Sequence, residues 1–128
     1  MAWEVEFTEE FGDWWSTLNE GEQDSVDHGV HLLEQRGPTL PFPFSSDVRG
    51  SKHGHMRELR VQHGGDPYRI FYAFDPRRAA ILLIGGNKAG DDEFYERMVP
   101  VADRVYDMHL VELEEELKRA AQQSDRRK

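Results

Sequence analysis

The stretch MRELRVQHGGDPYRIFYAFDPRRAAILLIGGNK, residues 56–88, decides the fold that we predict for this chain of 128 residues. Polar and apolar side chains alternate over residues 56–62, and two mostly apolar runs follow over residues 68–74 and 79–84. Short runs of this kind, bounded by Gly, Pro and Asp, are typical of β-strands. Because the turns between the runs are short, the three strands are predicted to pair as an antiparallel meander.

A strand and two helices are predicted before this stretch. Residues 3–7 alternate apolar and acidic side chains, as a strand with one buried face does. Thr8 is a suitable N-cap for a first helix, which ends at residues 19–21, and a second helix runs to Arg36. The Gly-Pro pair at residues 37–38 then stops that helix. Two helices joined by a short turn form a helical hairpin, which is expected to pack on one face of a sheet.

A loop and a long helix complete the predicted order of elements. Residues 38–55 are predicted to be a loop, because three prolines stiffen its first half. An acidic turn at residues 91–93 opens a long C-terminal helix, which Pro100 is predicted to interrupt or restart. The predicted fold class is therefore α+β, in the order β-α-α-β-β-β-α, with the helical hairpin packed on one face of an antiparallel sheet. One domain is predicted over residues 1–121, and residues 122–128 are predicted to be a disordered tail.

The net charge of −9 is distributed unevenly along the chain. Residues 49–88 carry eight basic and three acidic side chains, whereas residues 1–48 carry one basic and eleven acidic side chains. A basic central block in an otherwise acidic protein is where a polyanion would bind. The alternative interpretation is that surface charge is merely scattered unevenly and has no functional meaning.

The composition excludes several kinds of site. The chain has no cysteine, and therefore no disulfide, no cysteine-ligated zinc and no thiol nucleophile. No phosphate loop, dinucleotide fingerprint or nucleophile elbow occurs in the sequence, so we expect no cofactor. The longest nearly apolar run, residues 79–86, is too short to cross a bilayer, and the N-terminal residues lack a signal-peptide pattern. A cytoplasmic protein without a membrane partner is therefore expected.

Three basic residues and one tyrosine are candidates for chemistry. Arg69 lies inside the apolar middle strand, where a charge is costly unless it faces solvent or a partner, and no local carboxylate is evident for it. Strand parity then predicts Arg60 and Arg69 on one solvent-facing side of the sheet, close to Lys88 at the end of the last strand. Tyr95, early in the following helix, is as good a candidate for a core or rim aromatic residue.

A second basic group precedes and opens the first strand of the meander. Its members, as candidate contacts to a polyanion, are Arg49, Lys52, His53, His55 and Arg57. Arg57 has a competing interpretation as an exposed partner of Glu58. His53 and His55 could point the same way as a metal pair, but no third ligand is near and the chain lacks cysteine. We therefore predict no metal site and assign the two histidines polar contacts or proton transfer.

The order of elements and three segments of the meander together resemble the RelE/ParE superfamily. The segments are RELRV at residues 57–61, YRIFY at residues 68–72 and ILLIGGNK at residues 81–88. The chain is most similar to the phage-derived HigB-like branch of the type II toxin–antitoxin toxins, over residues 3–108. The resemblance implies a RelE-like fold and an endoribonuclease that cuts mRNA in the ribosomal A site, with a cognate antitoxin that neutralises it.

The resemblance also implies roles for individual residues. Arg69 matches the phosphate-stabilising arginine of the Tyr-Arg strand, Lys88 the basic residue after the last strand, and Arg60 a basic residue of the preceding strand. An arginine suits charge stabilisation because it keeps its proton and its planar donors fit phosphate oxygens. Tyr95 is a looser match to the aromatic residue of the final segment. The implied partners are a helix-turn-helix antitoxin, mRNA and the ribosome, in a homodimer or a toxin–antitoxin hetero-oligomer.

Two features depart from the family and leave alternatives open. Toxins of this family that act on the ribosome are typically basic, whereas this chain is acidic. Its glutamate-rich helix beyond Tyr106 also extends past the compact core. One alternative is a non-enzymatic toxin that inhibits a protein target such as gyrase, as in the ParE branch. The other is a degenerate member that only binds a partner.

Overall fold

The computed structural model describes the backbone of residues 2–126 and the side chains of residues 2–124. Within these residues the chain forms five strands and three α-helices. In chain order they are β1 (Val5–Phe7), α1 (Glu9–Ser16), α2 (Glu20–Arg36), β2 (Ser45–Asp47), β3 (Arg57–His63), β4 (Asp66–Phe74), β5 (Ala80–Asn87) and α3 (Phe94–Arg126). A short 3₁₀ turn, Gly37–Thr39, follows α2.

The sheet has the strand order β1-β5-β4-β3-β2. Its centre is the antiparallel meander of β3, β4 and β5, which confirms the predicted α+β fold. At one edge β1 pairs in parallel with β5, with Val5 opposite Ala80. At the other edge β2 pairs antiparallel with β3, inside the segment 38–55 that we predicted to be a loop. The three residues of β2 are polar and show no alternation that would predict a strand. The strand is defined instead by its pairing with β3, such as that of Ser46 with Glu58.

Different helices cover the two faces of the sheet. The helical hairpin of α1 and α2 covers one face, and its core includes Phe11, Val26, Leu33, Leu59, Ile70, Tyr72 and Leu82. Helix α3 covers the other face, and its core includes Phe71, Ile81, Leu83, Phe94, Val99 and Val105. Two residue pairs beyond Phe71 in the meander, the α3 face changes from apolar residues to Arg60 and Arg69, which lie opposite each other on β3 and β4.

Side-chain caps fix the two helices of the hairpin. The Thr8 hydroxyl accepts a hydrogen bond from the Phe11 amide at 3.1 Å, as predicted. Asn19 and Glu22 form a reciprocal capping box at the start of α2, with both bonds at 2.8 Å. The Tyr68 hydroxyl of β4 also donates to Glu22, and this bond, with burial, raises the pKa of Tyr68 to about 12. Helix α2 is thereby tied to the meander.

The prediction that Pro100 interrupts or restarts the last helix is wrong. Helix α3 is one continuous helix of 33 residues with Pro100 inside it. Proline removes one backbone hydrogen bond and costs a helix about 3 kcal/mol. However, Val99, Ala102 and Val105 around it are buried. Packing of these residues therefore outweighs the local penalty.

The C-terminal part of α3 extends beyond the packed core of the domain. Leu113 is 6% exposed, whereas Leu117, one turn further on, is 59% exposed. Residues 122–126, which we predicted to be disordered, are helical, and residues 127 and 128 lie outside the described residues. In the part of the chain that the structure describes, none of the helices combines the length and the apolar character needed to cross a membrane.

Candidate active site

The candidate site is built around Glu58 of β3, a residue that the sequence analysis did not single out. Its side chain is 5% exposed and lies on the α3 face of the sheet. The Tyr95 hydroxyl donates to Glu58 Oε1 at 2.7 Å, and the Ser46 hydroxyl donates to Oε2 at 2.7 Å. Arg60 Nη1 donates to the same Oε2 at 3.3 Å. One buried carboxylate therefore gathers side chains from β2, β3 and α3.

Arg69 lies beside this carboxylate and is buried in the same way. It stands directly opposite Arg60 in the β3–β4 pair, and its side chain is 5% exposed. Its Nη1 donates to the Tyr68 carbonyl at 3.0 Å. Its Nε lies 3.8 Å from Glu58 Oε1, which is too far for a hydrogen bond, and finds no acceptor among the described residues. A buried donor without a partner costs about 1–3 kcal/mol.

These contacts correct two predictions about Arg69. It shares a face with Arg60, as strand parity predicted, but this side chain is buried and does not face solvent. It also has a nearby carboxylate, Glu58, which is two residue pairs away in the β3–β4 ladder and on the same face. The burial arises because α3 starts over this part of the sheet, where the rings of Phe71 and Tyr95 are 6.3 Å apart.

Lys88 and Tyr95 complete the group. Lys88 Nζ lies 5.3 Å from the centre of the Tyr95 ring, and the Lys88 amide donates to the Pro67 carbonyl at 2.9 Å. Burial and the hydrogen bond to Glu58 raise the pKa of Tyr95 above its ordinary value, although Arg69 opposes this rise. Tyr95 therefore keeps its proton near neutral pH and acts as a donor.

The charges of the group do not cancel. Three cationic side chains, Arg60, Arg69 and Lys88, face the single carboxylate of Glu58 or the ring of Tyr95. Two positive charges are left over, and one buried guanidinium N–H has no acceptor among the described residues. This combination suits a bound anion with several oxygens, such as a phosphate.

A cavity and an exposed aromatic ring adjoin the two arginines. The cavity has a volume of about 650 Å³, and Phe44, Arg60 and Arg69 are among its lining residues. Outside it, the Phe42 ring lies 5.0 Å from the guanidinium carbon of Arg60. Phe42 is 69% exposed. From the sequence alone, this segment has only the features of a proline-stiffened loop.

Arg57 does not join the group. Its side chain is on the opposite face of β3, where Nε donates to the Ser45 hydroxyl at 2.9 Å and Nη1 donates to Asp47 at 2.5 Å. The interpretation of Arg57 as a partner of Glu58 is therefore wrong. Neighbouring residues on a strand point to opposite faces, so Glu58 pairs instead with Arg60, two positions away.

The basic loop before β3 contacts a different part of α3. Lys52 and His53 both pair with Asp107, the latter through Nε2 at 2.8 Å. Lys52 and His53 lower the pKa of Asp107 below its ordinary value. Asp107 is twelve residues beyond Tyr95, about 18 Å along the helix. His55 is exposed, with its ring 6.0 Å from that of Tyr106.

The remaining member of the predicted polyanion-binding group, Arg49, is exposed in the same loop. The RNA-binding role of this group stays a prediction, and the structure does not bring its members to Glu58. Among the described residues, no cluster of three or more His, Asp and Glu side chains could hold a metal ion.

A second buried carboxylate, Asp75, lies at the end of β4 and is 0% exposed. Arg77 donates to its Oδ2 from Nε at 3.0 Å and from Nη2 at 2.7 Å, and His109 Nε2 does so at 2.9 Å. The amides of Arg77 and Ala79 donate to its Oδ1. Burial raises the pKa of Asp75, but the bonds from His109 and Arg77 outweigh this and lower it below its ordinary value.

Comparison with known proteins identifies relatives of the sequence. The family model described as "Phage derived protein Gp49-like (DUF891)" matches residues 13–107. A Mycobacterium tuberculosis H37Rv protein named as the toxin HigB2 is 36% identical over 117 residues, which are 90% of this chain and 58% of that protein. A second protein of that strain, named as the toxin HigB3, is 44% identical over 92 residues, 71% of this chain and 79% of that protein. This chain thus spans less than two thirds of the HigB2 relative.

Solved structures resemble the fold. A double arginine-to-alanine variant of the E. coli toxin RelE in the free state superposes with a TM-score of 0.55 at 13% identity, covering 77% of this chain and 96% of that chain. A chain of the archaeal RelE–RelB complex from Pyrococcus horikoshii OT3 gives a TM-score of 0.52 at 15% identity, covering 70% of this chain and 99% of that chain. A chain of the M. tuberculosis RelBE2 toxin–antitoxin complex gives 0.51 at 16% identity, covering 68% and 99%.

The family model covers most of the chain, and the fold agrees with it. The predicted resemblance is therefore confirmed: this chain belongs to the phage-derived Gp49-like family, is related to the HigB toxins, and has a RelE-like fold.

Proposed function

We propose that this protein is the toxin of a type II toxin–antitoxin system and an endoribonuclease that cleaves mRNA to stop translation. The observation that carries the proposal is the surplus of positive charge around Glu58, together with the buried Arg69 Nε that has no acceptor among the described residues. An RNA phosphate supplies the missing acceptor and the opposite charge.

The chemistry that we propose is attack of a ribose 2′-OH on the adjacent phosphate. The hydroxyl gives its proton to water, its oxygen forms a new P–O bond, and the P–O5′ bond breaks to leave a 2′,3′-cyclic phosphate. Negative charge then builds up on the phosphate oxygens, where Arg69 and Arg60 would donate hydrogen bonds, with Lys88 adding a third positive charge. The departing 5′-oxygen needs a proton, and Tyr95 is proposed as its donor because its raised pKa keeps the hydroxyl protonated. Glu58 accepts hydrogen bonds from Tyr95 and Arg60 and lies 3.8 Å from Arg69 Nε, and it would position these three side chains.

The proposed partners follow from the relatives. Both M. tuberculosis relatives are named as toxins, and two of the similar structures are complexes of a toxin with an antitoxin. We therefore propose that a cognate antitoxin of the helix-turn-helix kind neutralises this protein. The ribosome is the proposed place of cleavage, and a homodimer or a toxin–antitoxin hetero-oligomer is the proposed assembly.

Induced expression followed by transcript mapping tests the proposal. We expect growth arrest with cleaved transcripts and without DNA damage. The purified protein, with and without ribosomes, should cut an RNA oligonucleotide but not a copy with a single 2′-deoxy nucleotide at the cut position, because that copy lacks the attacking hydroxyl. Arrest with DNA damage would instead support a gyrase-directed toxin, and no arrest would support a module that only binds.

A matched pair of lysine variants assigns the cleavage to this site. Lys88→Gln should slow cleavage about tenfold to a hundredfold, because a hydrogen bond to a charged group contributes about 1.5–3 kcal/mol. Lys118→Gln makes the same chemical change on the far part of α3, where Lys118 pairs only with Glu114 among the described residues. It should cleave as fast as the unmodified protein. Equal rates for the two variants would remove Lys88 from the site.

A further inference from the structure

Two phenylalanine rings project towards solvent next to the cationic group. Phe42 is 69% exposed and Phe44 is 44% exposed. Both precede β2 at the β3 edge of the sheet. A single exposed aromatic residue is ordinary on a protein surface. Two of them beside a pair of arginines form a surface that is apolar and positively charged within a few ångströms.

The segment that carries these rings is held in place by the backbone. The amides of Phe44 and Ser45 both donate to the Pro41 carbonyl, at 2.9 and 3.1 Å. The Arg60 amide donates to the Phe44 carbonyl at 2.8 Å, which fixes the segment to β3. Prolines on both sides of Phe42 further limit the backbone. The ring is therefore presented in a defined position, so little ordering remains to be done when a ligand binds.

The position of the Phe42 ring indicates which kind of ligand group could stack on it. Arg60 stands 5.0 Å from the ring centre, which is a cation–π distance. The same guanidinium is bonded to Glu58, at the centre of the candidate site. A planar group stacked on the exposed ring would thus be next to an anion bound by the arginines. A nucleotide has this form, with a flat base joined through its sugar to a phosphate.

We propose that Phe42 is a stacking platform for a nucleobase next to the phosphate that is cleaved, and that the site therefore selects unpaired RNA. This inference rests on the proposed ribonuclease function and adds a subsite to it. Bases in a duplex already stack on their neighbours and cannot cover an aromatic side chain, whereas proteins that bind single strands combine such rings with a cationic path for the backbone. Phe44, in the wall of the 650 Å³ cavity, lies where a neighbouring base would follow.

The test measures binding without cleavage. The probe is a fluorescein-labelled RNA strand with a 2′-deoxy nucleotide at the cut position, alone and as a duplex. Phe42→Ala should weaken binding of the single strand about fivefold to 150-fold, the range for one base stacked on an aromatic ring. Phe42→Trp should restore it. The matched control is Phe7→Ala, since Phe7 is 68% exposed but lies on β1 at the opposite edge of the sheet, and it should change nothing.

Salt dependence separates stacking from charge. The Phe42 ring carries no charge, so Phe42→Ala should keep the slope of log Kd against log salt, whereas Lys88→Gln should reduce that slope by about one. An unchanged affinity in Phe42→Ala, or equal losses for strand and duplex, overturns the stacking platform while the ribonuclease proposal stands. An unmodified protein that neither binds nor cuts single-stranded RNA overturns both.

Discussion

Glu58 and Asp75 are both buried carboxylates of the meander, but their surroundings differ. Asp75 accepts hydrogen bonds from two side chains and two backbone amides, and its charge is matched by Arg77 and supported by His109. Glu58 has two arginines beside it, and one arginine nitrogen, Nε of Arg69, has no acceptor in the described part of the chain.

The difference distinguishes Asp75, which stabilises the fold, from Glu58, which lies in the candidate active site. At Asp75 both carboxylate oxygens accept hydrogen bonds, from Arg77, His109 and Ala79, and the cluster ties the turn after β4 to α3. At Glu58 the carboxylate accepts three side-chain hydrogen bonds but Arg69 Nε is too far away to donate, and the cluster carries a net positive charge. Burying charges without full compensation is expensive. The Glu58 cluster therefore costs some folding free energy, and under the proposed function a bound anion would supply the missing acceptor.

The largest expected effect is on stability at the Asp75 cluster. Asp75→Ala should lower the free energy of unfolding by about 3–5 kcal/mol, because it leaves the Arg77 guanidinium without its main buried partner. Urea denaturation measures this. Asp27→Ala, on the exposed side of α2, is the control and should leave stability nearly unchanged. A loss at Asp75 no larger than at Asp27 would show that the cluster does not lock the fold.

The same cluster predicts a pH dependence. The pKa of Asp75 is lower in the folded protein than its ordinary value of about 3.9, so its ionised form stabilises the fold. This contribution is fully present above about pH 3.9 and is lost as the pH falls through the folded pKa. The stability difference between the unmodified protein and Asp75→Asn should thus shrink as the pH falls below about 3.9. A difference that persists unchanged in strong acid would contradict this assignment.

The next effect is on cleavage at the Glu58 cluster. Arg69→Lys keeps the charge but removes the planar donor fork, and we expect cleavage to slow about a hundredfold to a thousandfold, as when one preorganised donor is lost. Lysine is preferable to alanine because Arg69 is buried, and alanine would leave a cavity beside Glu58. Single-turnover kinetics with folded protein measure the rate. A rate within threefold or so of the unmodified protein would exclude charge stabilisation by Arg69.

Tyr95→Phe should have a smaller effect on cleavage, about a hundredfold, the low end for a positioned proton donor. Because the pKa of Tyr95 is raised above about 10, the unmodified protein should show no loss of rate from phenol ionisation between about pH 7 and 9. The check is a pH–rate profile of both proteins. If the profile of the unmodified protein falls over this range and that of the variant does not, the hydroxyl ionises at lower pH than the structure indicates.

The smallest effect is expected in the loop before β3. Lys52 is paired with Asp107, and its amide bonds to Asp103, so its positive charge is already compensated. Lys52→Gln should therefore change the affinity for single-stranded RNA less than about twofold, well below the effect of Lys88→Gln. Fluorescence anisotropy at one salt concentration compares the two. Equal losses would restore the interpretation of this loop as an RNA contact and would weaken the contrast between compensated and surplus charge.

The helical hairpin and the three central strands could be predicted from the sequence because they depend on local patterns. Alternation and short turns predict β3, β4 and β5, and the caps at Thr8 and Gly37 delimit the helices. Strand β2 and the continuous α3 could not be predicted in this way. The three residues of β2 have no periodic signal, and the path of α3 through Pro100 depends on packing against the sheet.

The candidate site was predicted in part. Parity on β3 and β4 correctly grouped Arg60 with Arg69 on one face. The carboxylate that both arginines approach, Glu58, was missed. It lies on β3 and Arg69 lies on the neighbouring strand β4, and the register of the two strands cannot be read from either strand alone. A Glu-x-Arg pattern on a strand, which puts both charges on one face, was the available signal. For Lys52 and His53, closeness in sequence to the basic strand did not mean closeness in space.

The parallel pairing of β1 with β5 has a consequence for how the chain folds during synthesis. Val5 and its partner Ala80 are 75 residues apart, so β1 leaves the ribosome long before the strand that it must join. At about 5–20 residues per second the delay is roughly 4–15 s. Loops of this length close slowly compared with hairpins, so the meander forms first and β1 is added last. Pairing of β1 with β5 is therefore the last step in completing the sheet, and a change in Val5 would affect this step without altering the residues around Glu58.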